Sequence, residues 1–170
     1  MHGIEQTIAP NKLKKHICLF LTFGIIALLA FCLLLHMSIG RVVTYTPQHL
    51  GNQDLDVRFN VNSILTRNNY LYLSGFAFIP NENIETYRIH ILLRNVNSNQ
   101  HLKLPTIMRI QPEITAHYYH ETGLYFNYDM SGWLSKVSLN RLNLAHEQFE
   151  IIILYQNNNN YVLVNTGIFL

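Results

Sequence analysis

An uncharged apolar stretch from Ile17 to Ile39, ICLFLTFGIIALLAFCLLLHMSI, constrains this chain more than any other feature. It holds 23 residues without a Lys, Arg, Asp or Glu. As a helix it reaches about 34 Å, enough to cross a hydrocarbon core of about 30 Å. The sequence therefore predicts one transmembrane helix over residues 17–39, with the lipid bilayer as its partner. Lys12, Lys14 and Lys15 precede the stretch and only Arg41 follows closely. Short flanks rich in Lys and Arg stay cytoplasmic. Residues 1–16 are thus expected to form a cytoplasmic tail, 40–54 a linker and 55–170 an extracytoplasmic domain of a single-pass inner-membrane protein. A cleavable signal peptide has a shorter apolar region ending in small residues. Leu33 to Ser38 offers no such site, and Phe31 is too bulky for lipid attachment at Cys32. The helix is read as an uncleaved signal anchor. Gly24 has Leu28 at i+4, so no small-residue dimer face is indicated.

The part beyond the anchor is electrically balanced. It has nine basic residues (Arg41, Arg58, Arg67, Arg88, Arg94, Lys103, Arg109, Lys136, Arg141) and nine acidic ones (Asp54, Asp56, Glu82, Glu85, Glu113, Glu121, Asp129, Glu147, Glu150). No basic run is present, which argues against nucleic acid as a partner. Cys18 and Cys32 both fall inside the anchor, so the outer domain has no disulfide, thiol nucleophile or Cys-ligated zinc. No Asn-x-Ser/Thr sequon occurs.

From Leu55 the hydrophobic period becomes two. Leu55, Val57, Phe59 and Val61 alternate with polar residues and predict a half-buried strand. Tyr70 to Ile79 predicts a second, with Gly75 marking a bulge or a close backbone approach. On that strand Tyr70 and Tyr72 share a face with Ser74, Phe76 and Phe78, which is read as core. Tyr87, Ile89, Ile91 and Leu93 predict a third strand. His101 to Ile110 predicts a fourth, made irregular or placed at an edge by Pro105. Gln111 to His120 fits no strand, and Pro112, Glu113 and Thr115 suit the opening of one helical turn. Gly123–Tyr128 and Trp133–Leu139 read as short strands around a turn at Asp129–Gly132. Phe149 to Tyr155 is apolar on both faces and reads as a central strand. Asn157–Asn160 turns the chain into a last strand, Tyr161–Phe169. Seven or eight strands with frequent turns predict an all-β fold, an immunoglobulin-like antiparallel β-sandwich preceded by one N-terminal transmembrane helix. A small barrel is the alternative.

Ser74-Gly75-Phe76-Ala77-Phe78-Ile79 resembles the Ser-Gly-Trp-Ala-Phe-Ile strand of β-sandwich modules in bacterial envelope-polysaccharide and teichoic-acid proteins. A Tyr-led strand, an Arg-Pro-Asp-Val-Thr segment and a Ser-Gly-Phe strand follow in those modules. Tyr87–Leu93, Gln111-Pro112-Glu113-Ile114-Thr115 and Ser131-Gly132-Trp133 are similar to them, with Gln111 in place of the arginine. The resemblance implies an envelope location and a sandwich fold rather than an activity.

His117-Tyr118-Tyr119-His120-Glu121 is the densest group of functional side chains. On a helical turn His117 and His120 would share a face, with Glu113 one turn earlier. The spacing is not that of a zinc-binding HExxH helix, and core tyrosines flanked by surface polar residues is the favoured reading. Tyr118, Tyr119, His117 and His120 are kept as candidate ligand contacts. His90, His101 and His146 read as solvated side chains. There is no Gly-x-Ser-x-Gly elbow, Gly-rich phosphate loop or telling carboxylate pair. No catalytic, cofactor-binding or metal-ligating residue is assigned, and the chain is not expected to be an enzyme. Three roles follow: an accessory or structural domain of an envelope assembly touching other envelope proteins, a bitopic subunit of a secretion or division complex, or a module that stacks polysaccharide on aromatic rings drawn from Tyr70, Tyr72, Tyr118, Tyr119, Tyr125, Tyr128 and Trp133.

Overall fold

The computed structural model describes residues 10–39, 41–47, 56–84, 87–142, 147–157 and 160–170. The chain divides into two compact units, Met1–Ile39 and Gly40–Leu170. The first is organised by helix α1, Pro10–Ile39. Within it Lys14–Leu35 is long and apolar enough to span a membrane, and none of its most apolar stretch is buried inside the molecule. The hydroxyl of Thr22 donates to the Cys18 carbonyl at 2.9 Å, so this polar group needs no water in an apolar surrounding. Cys18 and Cys32 are free thiols. Residues 1–9 of the expected tail, and 40 and 48–54 of the expected linker, lie outside the described residues.

The second unit is two antiparallel sheets. Its strands are β1 Val43–Tyr45, β2 Arg58–Arg67, β3 Tyr70–Phe78, β4 Tyr87–Asn95, β5 His101–Lys103, β6 Thr106–Arg109, β7 Gly132–Ser138, β8 Phe149–Asn157 and β9 Asn160–Phe169. One sheet has the order β1-β5-β4-β8-β9 and the other β2-β3-β7-β6. The stretch read as a linker therefore contributes β1, which pairs with β5. The predicted fourth strand is divided in two. Pro105 cannot donate to a ladder, and at this point the chain leaves the first sheet as β5 and enters the second as β6. Gly123–Tyr128, expected to be a strand, has no regular structure.

The inner faces of the two sheets share one core. Leu71, Leu73, Ala77, Trp133 and Val137 come from one sheet, and Ile89, Ile91, Leu93, Ile151, Ile153 and Tyr155 from the other. The face of β3 read as core is thus the outward one. Leu71, Leu73, Gly75 and Ala77 point in, while Tyr70 is exposed, Tyr72, Ser74 and Phe76 are half-buried, and Phe78 alone of that outward set is fully buried. Both strand faces carry large side chains. The smaller inward set wins because Gly75 lies opposite Trp133 and makes room for its indole. A methyl on Gly75 would overlap the Asn60 carbonyl oxygen and stand 2.6 Å from Trp133 Cζ2. The expected close approach at Gly75 is therefore real, and the β2 register shifts directly opposite it, between Val61 and Ser63.

Candidate binding surface

Helix α2, Pro112–Thr122, lies between β6 and β7 in sequence and is longer than the single turn expected. Pro112 begins it where no backbone donor is required, and Glu113 faces the positive end of the helix dipole. Gly123 ends it at φ 71°, its N–H bonding the Tyr119 carbonyl at 2.9 Å. Thr115 is the buried anchor. Its hydroxyl donates to Asp129 Oδ1 at 2.6 Å and accepts the Tyr128 N–H at 2.8 Å. The Gln111 N–H also bonds the Asp129 carbonyl at 2.7 Å. These bonds tie the helix to the one-turn 3₁₀ segment Asp129–Ser131.

The four candidate side chains on α2 do not converge. Tyr118 packs edge-on against Phe78, with ring centroids 4.6 Å apart, and Phe78 stacks on Tyr128 at 4.2 Å. The Arg58 guanidinium carbon lies 5.5 Å from the Tyr118 ring centre. A side-chain hydrogen bond with Tyr118 raises the arginine's pKa, and Asp56 and Glu121 add to the effect. Tyr118 thus holds the helix on the sheet. His117, Tyr119 and His120 are exposed. His117 Nε2 is 3.4 Å from Glu121 Oε1 one turn on, and Tyr119 approaches Tyr125 at 6.3 Å. Among the described residues no group of three His, Cys, Asp or Glu side chains is placed to hold a metal ion.

Beyond α2, no other described element of this unit packs over the outward face of the β2-β3-β7-β6 sheet, where Leu65, Tyr70 and Ile107 are exposed. The sheet's four strands contain no Asp or Glu, and their charged residues are Arg58, Arg67, Arg109 and Lys136. All four alternate with inward core residues and so stand on the outer face with Tyr70, Tyr72 and Phe76. Tyr70 and Tyr72 are tilted by 53° with centroids 6.4 Å apart. Lys136 Nζ sits 4.4 Å from the Tyr70 ring centre and 5.3 Å from that of Tyr72. A cation over aromatic faces is stabilised by about 0.5–1 kcal/mol at an exposed site. Ser63 and Ser74 bond hydroxyl to hydroxyl at 2.8 Å in the middle of the face. Leu65 and Ile107 project from it, each more than half exposed.

The outward face of the other sheet is built differently. Leu92, Ile152 and Leu154 are buried there, with Tyr45 and Leu163 packed against them. Glu150, also buried, pairs with Arg94 and accepts the Gly167 N–H at 3.2 Å. His90 is half-buried rather than solvated. Burial first, then Lys103 and Arg88, lower its pKa to about 4, so it is neutral at neutral pH. Burial likewise lowers His101. His146 lies outside the described residues. In the core, burial raises the Tyr87 and Tyr155 hydroxyls, whose rings are 5.8 Å apart, so neither ionises near neutrality.

Sequence reasoning placed the candidate ligand contacts on α2, counted Tyr70 and Tyr72 among the rings that could stack on sugar, and passed over Lys136 and Arg67. The signal was present, since four strands in a balanced domain carry only positive charge. It becomes visible once those strands are known to share a sheet. No protein-family model matches the chain, and neither does any curated protein or solved structure.

Proposed function

We propose that this chain is a non-catalytic accessory domain of a bacterial envelope assembly, held at the cytoplasmic membrane by α1 and displayed outside, with its N-terminus in the cytoplasm. The observation that carries the reading is the division of labour between the two units. The first supplies an apolar helix with no buried side of its own, and the second has a complete core. Lipid is the surrounding that suits the former, because about 20 apolar residues in water have no partner to cover them. The lysines before the helix favour this orientation. Strand order supports an immunoglobulin-like sandwich for the displayed part. Setting β1 aside, β2-β3-β7-β6 corresponds to A-B-E-D, and β5-β4-β8-β9 to C′-C-F-G. The resemblance of Ser74–Ile79 to envelope-polysaccharide modules points the same way.

Purification of the full chain from membranes in a mild detergent, after cross-linking in intact cells, tests the assignment. Envelope proteins recovered with it are the expected result. A soluble chain, or recovery of cytosolic proteins alone, contradicts it.

A further inference from the structure

We infer that the open end of the β2-β3-β7-β6 face, built on Tyr70, Tyr72, Lys136 and Arg67, binds an acidic polysaccharide, a polymer whose pyranose rings carry carboxylates. The inference goes beyond display at the membrane and does not depend on topology.

Charge carries the first part of the argument. The domain is balanced overall, yet these four strands hold no acid and their cations all face outward. Such segregation creates a local positive field that a balanced protein does not need for solubility. At the α2 end, Asp56 and Glu121 lie close enough to Arg58 to act on it electrostatically. The positive field is therefore strongest at the opposite end, where Arg67 pairs across from Tyr70 in the ladder and Lys136 across from Tyr72.

Shape carries the second part. A pyranose has an apolar C–H side that suits an aromatic face and polar substituents that do not. Tyr70 is 38% exposed and Tyr72 half-buried, and the Lys136 ammonium lies 4.4 and 5.3 Å from their ring centres. A sugar ring meeting a tyrosine brings its carboxylate to that ammonium, where the pairing is charge-assisted. The strand offers length as well. Phe76 lies six positions beyond Tyr70 on the same face, about 20 Å at strand rise, which suits a linear polymer. Between the aromatic positions lie the hydroxyls of Ser63 and Ser74. Polar groups at the centre of the face suit a hydroxylated chain better than the acyl region of a bilayer, to which they would be a burial cost.

The test uses the full chain in an uncharged detergent, titrated with oligogalacturonate, with neutral dextran oligomers of equal length, with anionic phospholipid vesicles and with single-stranded DNA. Oligogalacturonate is expected to bind at least about tenfold more tightly than dextran, as charged hydrogen bonds allow. The affinity should weaken as salt screens it. Lys136→Glu should lose about tenfold or more in affinity, because it replaces an attraction with a repulsion, while its unfolding temperature falls by no more than about 5 °C, as loss of the cation–ring contacts allows. Arg88→Glu, on the other sheet, should bind like the parent. The inference is overturned if oligogalacturonate does not bind, if dextran binds equally well, if Lys136→Glu binds unchanged, or if only vesicles or DNA bind. None of these results bears on which side of the membrane the domain occupies, so either reading can fail alone.

Discussion

The two sheets use their inner faces alike and their outer faces in opposite ways. In the β1-β5-β4-β8-β9 sheet the outer face is itself partly a core. Leu92, Ile152 and Leu154 are at most 3% exposed there, and Glu150 is buried with Arg94 as its partner. In the β2-β3-β7-β6 sheet α2 covers the outer face only around Phe78, and the rest is wet. Leu65 is 61% and Tyr70 38% exposed, and cations stand among the rings. One sheet has committed both sides to stability, while the other keeps one side for solvent or for a ligand.

Substitutions that break this contrast differ in size. The largest effect is expected at Gly75, where the second sheet meets the shared core. Gly75→Ala forces its new methyl against the Asn60 carbonyl and the Trp133 indole. Neither a backbone oxygen nor a fully buried indole can move away cheaply. A loss of about 4 kcal/mol is expected, at the upper end for overpacking, and denaturant unfolding measures it. The next test compares one leucine from each outer face. Leu154→Ala should cost about 3 kcal/mol, as for a buried leucine. Leu65→Ala should cost no more than about 0.5 kcal/mol. Equal costs would erase the distinction between the faces.

Smaller than the difference between the two leucines is a pH dependence in the first sheet. His90 titrates at about 4 in the folded chain against an ordinary 6.5. As pH falls, the unfolded chain takes up the proton first. The neutral imidazole therefore contributes its full stability above about pH 6.5, and that contribution is lost as pH falls towards 4. Because water still reaches the ring, the loss is set at about 1 kcal/mol. Unfolding midpoints from pH 7 to pH 4 should fall less steeply for His90→Asn than for the parent. Identical slopes would remove His90 from the account.

The same contrast explains what was legible in the sequence. Strands with a polar outer face declare themselves by alternation, as Val57, Phe59 and Val61 did on the approach to and within β2. Phe149 to Tyr155 has no alternation because both its faces are buried, and that continuity correctly marked a strand interior to its sheet. β3 misled because both its faces are apolar while only one is core. Tyr70, Tyr72, Phe76 and Phe78 outweigh Leu71, Leu73, Gly75 and Ala77 in bulk, and volume is not orientation. Helix α2 was under-read because its outer side is polar and only Thr115 is buried, leaving little apolar period to detect. The division at Pro105 depends on pairing between distant strands, which local pattern does not encode. The basic face was hidden for the same reason, since β2 and β7 are separated in sequence by two strands of the other sheet.

The central claim is that a lipid-held helix displays a self-contained β unit outside the cytoplasm. The most direct measurement places one reactive thiol on that unit. In a chain carrying Cys18→Ala and Cys32→Ala, Val96→Cys introduces a thiol at a position 45% exposed. A membrane-impermeant maleimide applied to spheroplasts should label it at full length without lysis. Labelling only after the membrane is broken, or a labelled chain shortened by the loss of α1, would contradict the account.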